Sequence, residues 1–167
     1  MNSKYLVADV FAFSLLNKIN QPIINWDLAP LTGKGLYSRH DSIAYLEIKM
    51  YKSQGEISQN TVVFNIHEEH TINKRYPGYK PDIEKGLIFF LRYMAALKGE
   101  TVQLTFEIND IAFDETSTRH NPFEKAVMYT IVNCFDKDML SFNEAMVATL
   151  KGNAGCKLET QPYFIDP

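Results

Sequence analysis

Pro81 to Ile108 reads PDIEKGLIFFLRYMAALKGETVQLTFEI, and two hydrophobic periods meet inside it. Up to Lys98 the apolar residues Ile83, Leu87, Phe90, Leu91, Met94 and Leu97 recur every three or four positions, which places them on one face of a helix. Pro81 suits a first helical position, where a missing amide hydrogen costs nothing, and Asp82 and Glu84 fall in the positively polarised first turn. Gly99 supplies the stop. Beyond it the period drops to two. Val102, Leu104, Phe106 and Ile108 share one face of a strand, and Gln103, Thr105, Glu107 and Asn109 share the other. A helix and a strand that each carry one apolar face are the material of a layered α+β domain.

Working outward, Asn109-Asp110 predicts a turn or bulge that resets the register before Ile111 and Phe113. Ser42 to Tyr51 alternates, with Ala44, Leu46, Ile48 and Met50 inward, and Thr61 to His67 repeats the pattern with Val62, Phe64 and Ile66. The polar stretch Lys52 to Asn60 between them predicts a hairpin. Tyr5 to Phe13 is apolar on both faces apart from Asp9. A helical stripe through Leu6, Val10 and Phe13 competes, but the β-branched and aromatic content favours a central strand. Asn17 to Lys34, punctuated by Pro22, Pro30 and Gly33, reads as an irregular connection anchored by Trp26.

Downstream of Asn73, Pro77-Gly78 suits the centre of a type II turn. Asn121-Pro122-Phe123-Glu124 opens a helix to about Phe135, and Ser141-Phe142-Asn143-Glu144 is a capping box for a helix ending at Gly152. A short strand is expected near Lys157 to Thr160. No repeat, low-complexity run or linker divides residues 1–167, so the expectation is a single α+β domain: a mostly antiparallel sheet with helices packed on one face.

With 167 residues, 46% of them hydrophobic, the chain can bury a core without staples; a domain of this size hides roughly 70% of its unfolded surface. The formal net charge of −3 argues against nucleic acid as partner, since phosphate binding rests on an excess of Lys and Arg. No window approaches the roughly eighteen apolar residues of a membrane span, and the N-terminal residues lack a signal-peptide pattern. Cys134 and Cys156 lack redox or metal-ligand spacing. A cytoplasmic chain with reduced thiols is expected, with no cofactor and no metal.

The candidate chemistry is sparse. In His67-Glu68-Glu69-His70 the histidines are three apart at a strand end, not four apart on a helix as zinc proteases require, so a charged strand end is the reading. Ser38-Arg39-His40-Asp41 groups nucleophile, base and acid in one turn, where they rarely converge. Thr32-Gly33-Lys34-Gly35 lacks the spacing of a phosphate loop. His120, with Arg119, Asp114 and Glu115, reads as a residue ahead of a helix cap.

Two segments suit a protein partner better. Arg75, Tyr76 and Tyr79, with Lys74 and Lys80, lie on a proline-braced loop, and Tyr and Arg dominate interface hot spots. Glu107, Asp110, Asp114 and Glu115 follow one another along a strand end and loop, an acidic series complementary to a basic surface. In size, charge and mix of elements, with that acidic series as its most specific feature, the chain resembles the immunity proteins that neutralise bacterial toxins, including those of contact-dependent growth inhibition. The resemblance implies a protein-binding inhibitory module that blocks a cognate toxin, often a basic nuclease domain. The alternatives are a small metal- or His-dependent hydrolase or nuclease built on His40, His67, His70 or His120, and an oligomeric accessory protein of phage or secretion origin.

Overall fold

A computed structural model of the chain describes residues 3–39, 42–54, 59–68, 70–114, 122–137, 139–152 and 163–166. In chain order these form α1 (Ser3–Leu16), a 3-10 turn (Asn17–Ile19), α2 (Asn20–Asn25), β1 (Leu31–Arg39), β2 (Ser42–Lys52), β3 (Asn60–Phe64), α3 (Thr71–Arg75), α4 (Tyr79–Lys98), β4 (Leu104–Phe113), α5 (Pro122–Phe135), α6 (Glu144–Lys151) and β5 (Tyr163–Ile165). The architecture is α+β. Five strands run in the order β1-β2-β4-β3-β5, antiparallel except for the parallel pair of β3 and β4.

The helix–strand stretch folds as its periods require. α4 buries Ile83, Leu87, Phe90, Leu91 and Met94, and ends at Gly99, whose φ of 71° is a left-handed value that suits glycine. β4 sends Leu104, Phe106 and Ile108 into the same core. The helix starts at Tyr79, two residues ahead of Pro81. Tyr76-Pro77-Gly78-Tyr79 closes as a turn, with the Tyr79 amide donating to the Tyr76 carbonyl at 3.1 Å. Gly78 has φ −80° and ψ 5°, the third position of a type I turn, so the type II expectation is corrected.

Four further expectations are overturned, each for an identifiable reason. The Tyr5 to Phe13 segment is part of helix α1, not a strand. Because it is apolar at nearly every position, no period was visible there. The periodicity appears only further along, where Ala12, Leu15, Leu16, Ile19 and Ile23 are buried at helical spacing. The supposed irregular stretch Asn17 to Lys34 holds α2 and the start of β1. Trp26 does anchor it: its indole N–H donates to the Ala29 carbonyl at 2.8 Å and its ring packs edge-on against Phe135.

The hairpin expected between β2 and β3 is absent. β4 lies between them, and the path from β3 through α3 and α4 is the long crossover that two parallel neighbours require. Alternation had fixed which side chains face inward but not which strands are neighbours. Finally, helices cover both faces of the sheet. α1, α2, α4 and α5 share the main core, whereas Val147 of α6 packs with Leu36, Tyr45 and Ala112, which lie on the opposite face.

The glycines of β1 explain how α5 sits so close. A Cβ at Gly33 would meet the Thr130 carbonyl oxygen at 2.5 Å, and one at Gly35 would meet the Thr130 amide nitrogen at 2.4 Å. Backbone thus packs on backbone, a standard reason for glycine inside a strand. The chain then turns around the β1 edge to carry α6 to the outer face. Asn133 ties this passage: its side-chain NH2 donates to the carbonyls of Lys34 (2.8 Å) and Leu140 (2.9 Å), and its oxygen accepts from the Leu140 amide (3.2 Å). The Lys34 carbonyl on the sheet edge is thereby capped, which blunts a free edge. α6 begins at Glu144 with Asn143 as its cap, accepting from the amides of Ala145 and Met146, so the cap lies two residues beyond the Ser141 expected. The strand of the tail is Tyr163–Ile165, and Lys157 to Thr160 lie outside the described residues.

Candidate partner-binding surface

The outer face of the sheet is where described acidic residues gather. In β4 the pairing with β2 shifts between Glu47 and Ile48, whose partners are Asp110 and Ile108, so Asn109 is an extra residue. Leu104, Phe106 and Ile108 point to the core. Strict alternation would send Asp110 there too; the bulge turns it outward and lets Ile111 enter the core instead. Glu107 and Asp110 therefore share the outer face, and the bulge read at Asn109-Asp110 is present.

Each carboxylate there has local partners. Glu107 accepts a hydrogen bond from the Tyr51 hydroxyl at 2.7 Å and pairs with Lys49 at 3.5 Å. Asp110 pairs with Lys151 of α6 at 2.5 Å and accepts from the Ile111 amide at 2.9 Å. Glu47, opposite Asp110 in register, pairs with Lys34 at 3.8 Å. Lys151 also lies 4.5 Å above the Tyr45 ring. Burial pushes the Tyr45 hydroxyl's pKa far up, and the negative charges of Glu47, Asp110 and Glu144 push it the same way. The Tyr51 pKa is pushed up to about 12 by burial and then by its bond to Glu107. The sequence had offered Glu107 and Asp110; Glu47 and Glu144 were missed because they belong to β2 and α6, elements whose place beside β4 no local pattern shows. Asp114 follows β4, with its amide donating to the Ile43 carbonyl, and Glu115 lies outside the described residues.

The Arg75–Tyr79 segment splits. Lys74 and Arg75 are exposed at the end of α3. Tyr79 is only 2% exposed, packs against Phe64 and Phe123, and donates its hydroxyl to Asn73 at 3.1 Å. Tyr76 stacks on Phe123 and donates to the Asp82 carboxylate. Tyr79 is buried, so as a contact for a partner it is corrected to a packing residue, whereas Tyr76 is half-buried with its ring stacked on the core.

The remaining clusters do not assemble into a reactive set. His70 is buried and caps α3, its Nδ1 accepting from the Ile72 amide at 3.1 Å. Burial lowers its pKa, while Asp110 and the Ile111 backbone pull it the other way. His67 and His70 are not joined by a third ligand: among the described residues no group of three or more His, Cys, Asp or Glu is placed to hold a metal ion. Ser38 and Arg39 are exposed at the end of β1; His40, Asp41, Arg119 and His120 lie outside the described residues. Thr32 to Gly35 belongs to β1 and serves the contact with α5. Cys134 is a buried free thiol on α5, its pKa raised by burial.

A second surface has apolar character. Val10 and Phe13 of α1 and Ile24 of α2 are 63%, 56% and 44% exposed, and Phe13 packs edge-on against Tyr93, which stacks on Phe89 of α4. Among the described residues no helix is long and apolar enough to cross a membrane. No protein-family model matches this chain, and no curated protein is similar to it.

Proposed function

We propose that this chain is a protein-binding inhibitory module of the toxin-immunity kind, acting in the cytoplasm, which docks a basic partner on the outer face of its sheet. The observation that carries this reading is that Glu47, Glu107, Asp110 and Glu144, from two strands and a helix, share the outer face with the half-buried Tyr51 and with Tyr45, which is itself buried under α6. Tyrosine is enriched at interfaces, and the carboxylates beside the half-buried Tyr51 supply a charge pattern complementary to a basic partner. The lysines that pair with Glu47, Glu107 and Asp110 stand further into solvent than the carboxylates do. Such exposed pairs contribute only about 0–1 kcal/mol each. An arginine of a partner, with its planar fork of donors, can take over a carboxylate from a lysine at little cost. Arg75 and Lys74 face solvent elsewhere and are not needed for this contact.

The test is copurification from native host cells with the full chain as bait, followed by binding of the captured partner to the double variant Glu47→Lys, Glu144→Lys. Like charges brought together across an interface cost several kcal/mol, so affinity falls by about a hundredfold or more. The unfolding free energy falls by about 1–2 kcal/mol, because Glu144 is exposed and Glu47 is half-buried with a single ion pair to Lys34. Unchanged affinity rules the outer face out. The exposed Val10, Phe13 and Ile24 favour a second reading, an oligomeric accessory protein; sedimentation of the pure chain as a stable oligomer selects it.

A further inference from the structure

His70 occupies a position that only one of its protonation states can hold. The ring nitrogen facing α3 accepts the Ile72 amide hydrogen, so that nitrogen carries no proton. The other ring nitrogen is sealed from solvent without a well-formed hydrogen bond. A protonated ring would set a donor against the Ile72 N–H and place a cation in a site that is 5% exposed.

The cap leads directly to the aromatic corner. Asn73, in α3, donates to the carbonyls of His67 (3.1 Å) and Glu68 (2.9 Å) and accepts from the Tyr79 hydroxyl (3.1 Å). Ile72 is fully buried in the main core. α3 is a five-residue helix, too short to persist without its cap and tertiary contacts. Hence one nitrogen, one amide and one asparagine link the charge state of His70 to the seating of Tyr79.

We propose that His70 is an acid-sensitive latch, which when neutral caps α3 and when protonated releases α3 together with the Tyr76–Tyr79 corner. The charged group acting on the ring is Asp110 of β4, which itself pairs with Lys151 of α6, and the Ile111 backbone lies beside it; Glu68 and His67 are its sequence neighbours. Asp110 draws a proton toward the ring, but burial is the larger effect and holds the folded pKa below the ordinary 6.5. The unfolded segment therefore binds the proton more readily. Stability of the corner is full above about 6.5 and falls as the pH drops through that value toward the folded pKa. Release would uncover Ile72, Tyr79 and the Phe123 ring beneath them. This inference stands whether or not the outer sheet face binds a partner.

The experiment is amide hydrogen exchange by NMR on the full chain at about pH 7.5 and about pH 5, expressed as protection factors so that the intrinsic pH dependence cancels, together with titration of the His70 ring. The latch requires the protection of the Ile72 and Tyr76 amides to fall by about fivefold or more in acid, the effect of losing one N-cap. In His70→Asn, whose amide oxygen caps without titrating, protection is the same at both pH values, while His67→Asn behaves as the parent. Protection that does not change, or the same acid loss in His70→Asn, overturns the proposal. Should His70→Asn fail to fold, the parent chain decides alone: the ring must titrate below 6.5 with the same midpoint as the Ile72 protection, and a ring that titrates at or above 6.5 refutes the latch.

Discussion

Replacing Gly35 with alanine adds one methyl group and tests the tightest contact in the fold. Its Cβ would lie 2.4 Å from the Thr130 amide nitrogen, 2.5 Å from Thr130 Oγ1 and 2.7 Å from Thr130 Cα. All three are far inside van der Waals contact, and two of them belong to helix backbone, which cannot swing aside as a side chain can. Relief requires α5 to retreat from β1 by most of an ångström. That movement strains the Thr130 hydroxyl contact with the Leu46 carbonyl (3.5 Å) and the Asn133 bond to the Lys34 carbonyl (2.8 Å). Overpacking by one methylene group costs about 1–3 kcal/mol, and a clash with backbone on this scale belongs at the upper end, about 3 kcal/mol. Against a total stability of about 5–15 kcal/mol this is a large fraction. In a chain of this length it lowers Tm by about 6–12 °C. Urea unfolding at equilibrium measures the cost, and Gly78→Ala is the internal control, because nothing lies within 4 Å of a Cβ there. The control stays within about 1 kcal/mol of the parent. If Gly35→Ala matches the control, β1 and α5 do not pack backbone to backbone and the account of this layer is wrong.

Asn133→Ala leaves the Lys34 and Leu140 carbonyls and the Leu140 amide without their partner, and urea titration should register a loss of about 2–4 kcal/mol; a loss under 1 kcal/mol contradicts its role at the β1 edge. Tyr76→Phe keeps the stack on Phe123 but removes the hydroxyl from the buried Asp82, a cost of about 1–3 kcal/mol in the same assay. Tyr79→Ala opens a cavity beneath Phe64 and Phe123 and costs about 3–5 kcal/mol, with partner affinity of the surviving folded fraction unchanged.

What the sequence disclosed was face, and what it withheld was neighbourhood. The period-two residues of β2 and β4 and the helical stripe of α4 name most side chains of the main core, because that face of each element is more apolar than the other; Tyr45 and Ala112, buried by α6 on the opposite face, fell outside the pattern. α1 has no such contrast in its first turns, so its period was hidden and a strand was expected. Gly33 and Gly35 read as punctuation because a glycine that breaks a strand and a glycine that admits a helix look alike until the helix is in view. The β2–β3 hairpin failed for a related reason: a polar connection fits a tight turn and a wider detour equally well, and only the insertion of β4 distinguishes them. The acidic site was half legible. Glu107 and Asp110 lie on one strand and could be grouped by inspection, whereas Glu47 and Glu144 join them only through the β2–β4 register and the passage of α6 to the outer face. Loop tyrosines suit interfaces, which is why Tyr76 and Tyr79 read as contacts; the fold buries Tyr79 and leaves Tyr76 half-buried.

The most direct test of the outer sheet face as the docking surface is hydrogen exchange of the full chain, free and in complex with the protein captured from its host. The account predicts new protection along β2 from Tyr45 to Tyr51, along β4 from Thr105 to Asp110 and in α6. Protection confined to α1 and α2 around Val10, Phe13 and Ile24, with the sheet face unchanged, would contradict it.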